Sequence, residues 1–295
     1  MNWRPSASLE TLQKRSQWLK ALRAFFYARQ VMEVDTPMLS SAATPDRHLH
    51  SLTTQVRLPG ERDLQRYYLH TSPEYPMKRL LCAGSGDIFY LGKVFRDGDL
   101  SPRHQIEFTM LEWYRLGFDL PQIMQETAEV IQGVLGQLPV EFLSYQHAFQ
   151  RYAEIDNIHS ASAEACRHCL ARFDQPEVVG VDANDKPLWE QLILTEIIEP
   201  QLGQDKISCL YHYPAREAAL AQICTEDPQV ALRFEVFVQG MELANGYQEL
   251  QAAQATRQRF EKALQQRQSD GVDAVPIDER LLAGLAENGL PACSG

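Results

Sequence analysis

The sequence has few cysteines, no long apolar run and a shortage of positive charge, and each lack excludes something. Six cysteines in 295 residues are too sparse for a disulfide framework, so Cys82, Cys166, Cys169, Cys209, Cys224 and Cys293 are expected to be reduced thiols. Apolar runs such as Val178 to Val181 and Leu192 to Leu194 fall far short of the roughly 18 to 20 residues a membrane helix needs. Polar Asn2, Arg4 and Ser6 stand where a signal peptide would carry its apolar core. No membrane association is expected, and a cytoplasmic location follows by default. With 28 Lys plus Arg against 39 Asp plus Glu, the formal net charge is −11, which disfavours non-specific binding to phosphate backbones. A P-loop (GxxxxGK followed by Ser or Thr) is lacking, so any nucleotide is held without one. The segment CAGSGD opens like a dinucleotide fingerprint, but Phe89 takes the place of the third glycine and a helix precedes it, which argues against a nicotinamide or flavin. There is no repeat, low-complexity stretch or Gly/Ser linker, so residues 1–295 read as a single domain with apolar content, 44%, sufficient for a core.

Periodicity supplies the elements. A helix is expected from Leu9 to Gln30 behind a Ser8 cap, and another from Ser72 and Pro73, with Pro73 at its first position, to a stop at Gly84. Ile88 to Phe95 and Ile106 to Tyr114 read as two strands of an antiparallel hairpin with a long polar tip, RDGDLSPRHQ. Leu120 to Leu138 reads as a helix covering the sheet, and Ser160 to Ile198 as two helices around VGVDANDKP. Strands follow at Ile207 to Tyr213 and Leu232 to Val238, then helices at Ala255 to Arg267 and Glu279 to Glu287. Strands and helices mixed without strict βαβ alternation favour an α+β fold, an antiparallel sheet flanked by helices.

Several constellations carry possible chemistry, each with a plainer counterpart. Cys166 and Cys169 form a CxxC, but on a helix and without a second pair at zinc spacing, so two half-buried thiols are expected. In RFEVFVQGMELANGYQEL (Arg233 to Leu250) a two-residue turn at Gln239 and Gly240 would set Phe237 opposite Glu242, with Glu235 on the same face. Two adjacent acids either hold a cation such as Mg²⁺ or are solvated strand acids. On Ile106 to Tyr114, Phe108, Met110, Glu112 and Tyr114 share one face. The aromatic ring can stack on a base and the acid with its phenol can hold an ammonium; the plain alternative is an amphipathic strand with Glu112 in an ion pair. Arg96, with Arg103 and His104 in the following loop, is either a solvated charge or a fork for a phosphate.

The stretch FRDGDLSPRHQIEFTMLEWYR resembles the second signature motif of the class II aminoacyl-tRNA synthetases in its lysine-type form. MEVDTPML resembles the first motif, and RFEVFVQGMELANGYQEL the glutamate-rich strand pair preceding the third. HTSPEYPMKRLL, EFTMLEWYR, QICTEDPQVALRFEV and GMELANGYQEL are most similar to the stand-alone lysyl-tRNA synthetase paralogues, which adenylate β-lysine and transfer it to a lysine of elongation factor P. The resemblance implies a class II catalytic core, ATP and Mg²⁺ as cofactors, β-lysine or lysine as substrate, elongation factor P as acceptor, and a homodimer around the first motif, including Pro37; tRNA is not the expected partner. By the same resemblance Arg96 is the catalytic arginine, and Asp97, Gly98, His104, Gln105, Phe108, Glu242 and Leu243 join it at ATP. Ser72, Pro73, Glu74, Glu112, Tyr114, Asn245 and Glu249 match the amino-acid pocket, and Glu235 with Glu242 the metal site. The chain departs from the family at Gly98 and Asp99, where Arg-x-Glu is usual after Phe95, and at Gln105 and Ile106 in place of Asn and Pro. Neither an N-terminal anticodon-binding OB domain nor the motif-three strand, helix and arginine is matched, which implies an exposed apolar edge and weak activity. A tRNA-charging core and a catalytically silent regulatory paralogue are the alternatives.

Overall fold

The computed structural model describes residues 3–175 and 178–295. The chain forms two compact units, Met1–Phe118 with Glu249–Gly295, and Asp119–Gln248. In the first unit, α1 (Leu9–Ala28) is capped as expected, Ser8 Oγ accepting from the Thr11 N–H at 3.1 Å. It ends before Gln30, whose φ of 61° is left-handed and cannot continue a helix. Then come β1 (Met32–Glu33), β2 (Leu39–Ser40), β3 (Thr53–Val56), β4 (Gln65–Leu69), α2 (Glu74–Cys82), β5 (Ile88–Phe95) and β6 (Glu107–Leu116). Pro73 occupies the cap of α2, not its first helical position, while Ser72 Oγ still accepts from the Glu74 N–H at 3.0 Å. The hairpin of β5 and β6 runs in register from Ile88 opposite Tyr114 to Phe95 opposite Glu107. Its far face packs on α1: buried Phe26 stacks on Phe89 at 4.8 Å and tilts against Trp113 at 5.3 Å.

The second unit begins with α3 (Leu120–Leu135), which Asp119 and Gln122 close with a reciprocal capping box. The helix stops short of Leu138 because Gly136, at φ 94°, leaves helical space. It continues through β7 (Val140–Ser144), α4 (Tyr145–Tyr152), α5 (Ala163–Arg172), α6 (Lys186–Ile193) with a π-helical turn over Leu194–Ile198, β8 (Ile207–Tyr211), β9 (Arg233–Val238) and β10 (Met241–Tyr247). The strand expected to reach Tyr213 ends at Tyr211, since His212 has φ 61°. These strands form a sheet in the order β10-β9-β8-β7, antiparallel except for β7 beside β8. Cys166 and Cys169 are fully buried among apolar side chains, not half-buried, and burial pushes the Cys166 thiol up to about 11.

The chain returns to the first unit with α7 (Ala253–Ser269), α8 (Glu279–Glu287) and β11 (Cys293–Ser294), which pairs antiparallel with β6 and completes the order β1-β5-β6-β11. Antiparallel sheets flanked by helices agree with the expected α+β class.

Gly92 on β5 is fixed by its neighbour. The Tyr90 ring lies over it so that the phenol donates to the Lys93 carbonyl at 2.8 Å, and a Cβ at position 92 would run into that ring. Gly92→Ala is therefore expected to cost about 1–3 kcal/mol of stability through overpacking. The cost should vanish in a Tyr90→Leu background; a double-mutant cycle by urea unfolding measures the coupling.

Candidate functional site

In the first unit the even-numbered face of β6 carries the expected residues. Glu112 stands opposite Tyr90 and Phe108 opposite Val94. Among the described residues no ion pair to Glu112 is formed; it accepts from Ser72 Oγ at 2.6 Å and from the Tyr114 phenol at 2.9 Å. Burial, reinforced by the charge of Glu74, pushes its carboxyl up to about 7. Glu249, where the chain re-enters this unit, is buried and is pushed up to about 8 by that burial, against the pull of Lys78. Lys78 Nζ lies 2.6 Å from Glu74 Oε1 and 2.6 Å from Glu249 Oε2, and Ser72 and Tyr114 bond Glu112, so these residues form a largely buried acidic cluster. Pro73, capping α2, sets the entry of that helix.

At the other end of the hairpin, Arg96 donates through Nε to the Thr71 carbonyl at 3.4 Å and its guanidinium sits 5.2 Å from the Phe108 ring centre. Its backbone N–H bonds the Ile106 carbonyl at 2.9 Å, closing the base of the loop. Asp97 is tied by its N–H to the His50 carbonyl at 2.8 Å, and Gly98 takes φ 80°, a conformation that a non-glycine residue adopts only with strain. The loop closes on itself between Ser101 and His104, with Ser101 Oγ 2.9 Å from His104 Nδ1; His104 and Gln105 are exposed. Thus a ring and a guanidinium occupy one end of this surface, and acids the other.

The second unit holds the remaining residues. The turn at Gln239 and Gly240 forms as expected, both with positive φ, and Glu242 stands opposite Phe237. A Cβ on Gly240 would press on Glu199 and Pro200, whose segment accepts the turn: Gly240 N–H bonds the Leu202 carbonyl at 2.8 Å. A bulge at exposed Leu243 then shifts the register, so Asn245, not Ala244, faces Glu235. Glu235 is buried and already partnered: the Tyr213 phenol donates to Oε2 at 2.6 Å and Arg233 pairs with Oε1. Arg233 also reaches Asn245 Oδ1 at 3.4 Å and the Glu217 carbonyl at 2.7 Å. Behind it, Arg216 bridges fully buried Glu190 at 2.7 Å and Glu217 at 3.0 Å. Glu242 is exposed. Among the described residues no cluster of three or more His, Cys, Asp or Glu side chains converges as a metal cage. Carboxylate oxygens are the donor type that Mg²⁺, a hard ion, prefers; of this pair Glu242 is exposed, and Glu235 could take part only by sharing an oxygen now held by Tyr213 or Arg233.

Sequence reasoning missed Lys78, Arg233, Tyr213 and Glu199, whose carboxyl burial and the charge of Glu235 push up to about 7. Lys78 was signalled by its i+4 spacing from Glu74, and Arg233 by sharing the strand face of Glu235. Glu199 and Tyr213 reach the site from distant segments and left no local signal. An open groove of about 480 Å³ in the second unit, walled by Pro121, Met124, Phe142 and Tyr211, contains none of the expected site residues.

Comparison with known proteins gives the family. The chain is 45% identical over 293 residues to the elongation factor P--(R)-beta-lysine ligase of Salmonella paratyphi B, a match covering 99% of this chain and 89% of the relative. It is 46% identical over 294 residues to the protein of the same name from Proteus mirabilis, covering 100% of this chain and 90% of that one. The description "tRNA synthetases class II (D, K and N)" matches residues 1–295. With its hairpin motif, its acid-lined pocket and this full-length match, the chain belongs to the class II tRNA synthetase family of the D, K and N type.

Proposed function

We propose that this protein activates (R)-β-lysine with ATP and transfers it to a lysine side chain of elongation factor P. The observation that carries the reading is the cluster of Glu74, Glu112 and Glu249 around Lys78, an acid-rich set that suits a substrate with two ammonium groups. The names of the relatives and the family match support it. The family span over residues 1–295 also supports treating both units as parts of one catalytic domain.

In the first step a substrate carboxylate oxygen attacks the α-phosphorus of ATP, a new P–O bond forms, and pyrophosphate leaves. Charge builds on the non-bridging oxygens, where the Arg96 fork is suited to meet it. Phe108 offers a stacking face to adenine, and Asp97, Gly98, His104, Gln105 and Leu243 are assigned to the nucleotide. Glu235 and Glu242 are the residues that would hold Mg²⁺, which when bound neutralises phosphate charge. Ser72, Pro73, Glu74, Glu112, Tyr114, Asn245 and Glu249 are assigned to the amino acid. In the second step the ε-amine of the acceptor lysine attacks the activated carbonyl, an amide forms and AMP leaves. The net charge of −11 supports a protein acceptor over tRNA. A cytoplasmic homodimer completes the proposal: exposed Leu9, Leu12 and Trp18 on α1 and Met32, Met38 and Leu39 around the first motif offer an apolar face to a second copy.

Wild-type protein is expected to exchange labelled pyrophosphate into ATP when (R)-β-lysine is present, and Arg96→Ala to lower that exchange by about 10²-fold or more. ATP binding without exchange would favour the silent-paralogue alternative. Sedimentation should show a dimer that Met38→Asp dissociates.

The raised acids give a signed pH dependence. Near neutrality Glu112, at about 7, and Glu249, at about 8, carry protons that ammonium groups must displace. Amino-acid affinity should therefore rise from pH 6 to pH 8, by up to about tenfold per pH unit for each proton displaced. Without ligand the sign reverses for folding: groups with raised pKa stabilise the fold at low pH and lose that contribution as pH rises through 7 to 8. Thermal stabilisation by β-lysine should accordingly be larger at pH 8 than at pH 6, and Glu112→Gln should flatten the difference.

A further inference from the structure

The three acids of the pocket, Glu74 on α2, Glu112 on β6 and Glu249 in the returning chain, surround a side chain to which the proposed chemistry gives no part. Lys78 lies one helical turn beyond Glu74 and is 2% exposed; its Nζ stands 2.6 Å from Glu74 Oε1 and 2.6 Å from Glu249, itself 1% exposed. A buried lysine needs a compensating acid, and here two acids contact it while a third lies close by. Once the protons on Glu112 and Glu249 are displaced, three negative charges against one positive leave two to be met, the number of ammonium groups that β-lysine carries.

We propose that Lys78 is a built-in counter-ion of the amino-acid pocket, setting its charge so that a ligand with two ammonium groups, and not one, completes it. This rests on the β-lysine reading above. Lys78 is a positioning residue: it acts through Glu74 and Glu249, which it joins across the pocket, and its charge favours the ionised form of Glu249. The other titratable groups near it are Tyr75 and Cys82 on α2, Tyr114 on β6 and Cys293 on β11, all pushed up by burial and neutral near pH 7. Arg79 on α2 is engaged by Asp278 at 3.4 Å, so it does not stand in for Lys78. Without the Lys78 ammonium the acids would compensate one another by taking up protons, and a diammonium ligand would then have to expel them.

Calorimetric titration of the full chain with (R)-β-lysine from pH 6.5 to 9, in buffers of different ionisation enthalpy, tests this. Lys78→Met is expected to bind about tenfold more weakly than wild type at pH 6.5, to release about one more proton on binding, and to close the deficit by pH 9. Lys78→Arg should keep the wild-type proton count. (R)-3-Aminohexanoic acid, which lacks the second amine, should be rejected by wild type and less strongly discriminated against by Lys78→Met. An affinity loss in Lys78→Met that is the same at every pH, with an unchanged proton count, would mark a merely structural lysine and overturn the assignment. Should that variant not fold, Lys78→Ala with and without ethylammonium replaces it: restored affinity with the added cation supports the assignment, and none overturns it. Wild type that binds neither β-lysine nor lysine brings down the proposed function and the role of Lys78 with it, whereas wild-type binding matched by Lys78→Met at all pH values removes Lys78 alone.

Discussion

Bringing together three carboxylates, Glu249 buried and Glu74 and Glu112 half-buried, is the constraint on which the proposed amino-acid end of this structure turns. Like charges at close range in a medium of low polarity cannot all ionise without compensation. The first unit supplies that compensation in three forms: hydroxyl donors from Ser72 and Tyr114 to Glu112, an ammonium from Lys78 between Glu74 and Glu249, and protons held near neutral pH. The hydroxyls and the protons are replaceable by a cationic ligand at little structural cost, because hydroxyls rotate and protons leave. A pocket compensated by fixed guanidinium groups throughout would be more stable when empty and less able to admit an amine.

The hairpin converts this pocket into a site with two ends. Phe108 and Glu112 lie four residues apart on one face of β6, roughly 13 Å along an extended strand, a span suited to separate a nucleobase from an ammonium. Keeping that spacing requires an unslipped register, since a shift of one residue would turn both side chains to the opposite face. Packing on the far face supplies the lock: Phe26 of α1 fills the space between Phe89 and Trp113, a cross-strand pair that only the observed register brings together. Tyr90 over Gly92 adds a second peg on the near face.

What was legible in the sequence follows from how local each determinant is. Parity alone put Phe108, Glu112 and Tyr114 on one face, and the Gln239–Gly240 turn alone put Glu242 opposite Phe237, both as observed. The bulge at Leu243 was not legible, because alternation of residues carries no mark for an inserted one and the turn is braced by Leu202 and Gly203 from elsewhere in the chain. Strand and helix ends were overshot where a residue takes a left-handed conformation, as at Gln30 and His212, neither of which is a glycine to announce it. The pairing of Lys78 with Glu74 was readable from helical spacing, whereas its pairing with Glu249, more than a hundred residues away, was not.

The second unit solves the buried-acid problem differently, and the difference bears on function. Glu235 is met by Arg233, and Glu190 by Arg216, so both of these buried acids have guanidinium partners. Guanidinium does not lose its proton at any pH a protein survives, and its planar fork holds direction as well as charge. Arg233 spends that geometry on two assigned site residues, Glu235 and Asn245, with a third contact to the Glu217 carbonyl anchoring it. Carboxylates fixed in this way are suited to a metal ion, whose charge is the same at every working pH. The lysine-and-proton compensation of Glu74, Glu112 and Glu249 is suited to a ligand whose amines exchange protons with the pocket. Both units hold acids raised toward neutrality, Glu112 and Glu249 in the first and Glu199 in the second, so the part of the pH response that belongs to the proposed amino-acid pocket is the part that β-lysine alters.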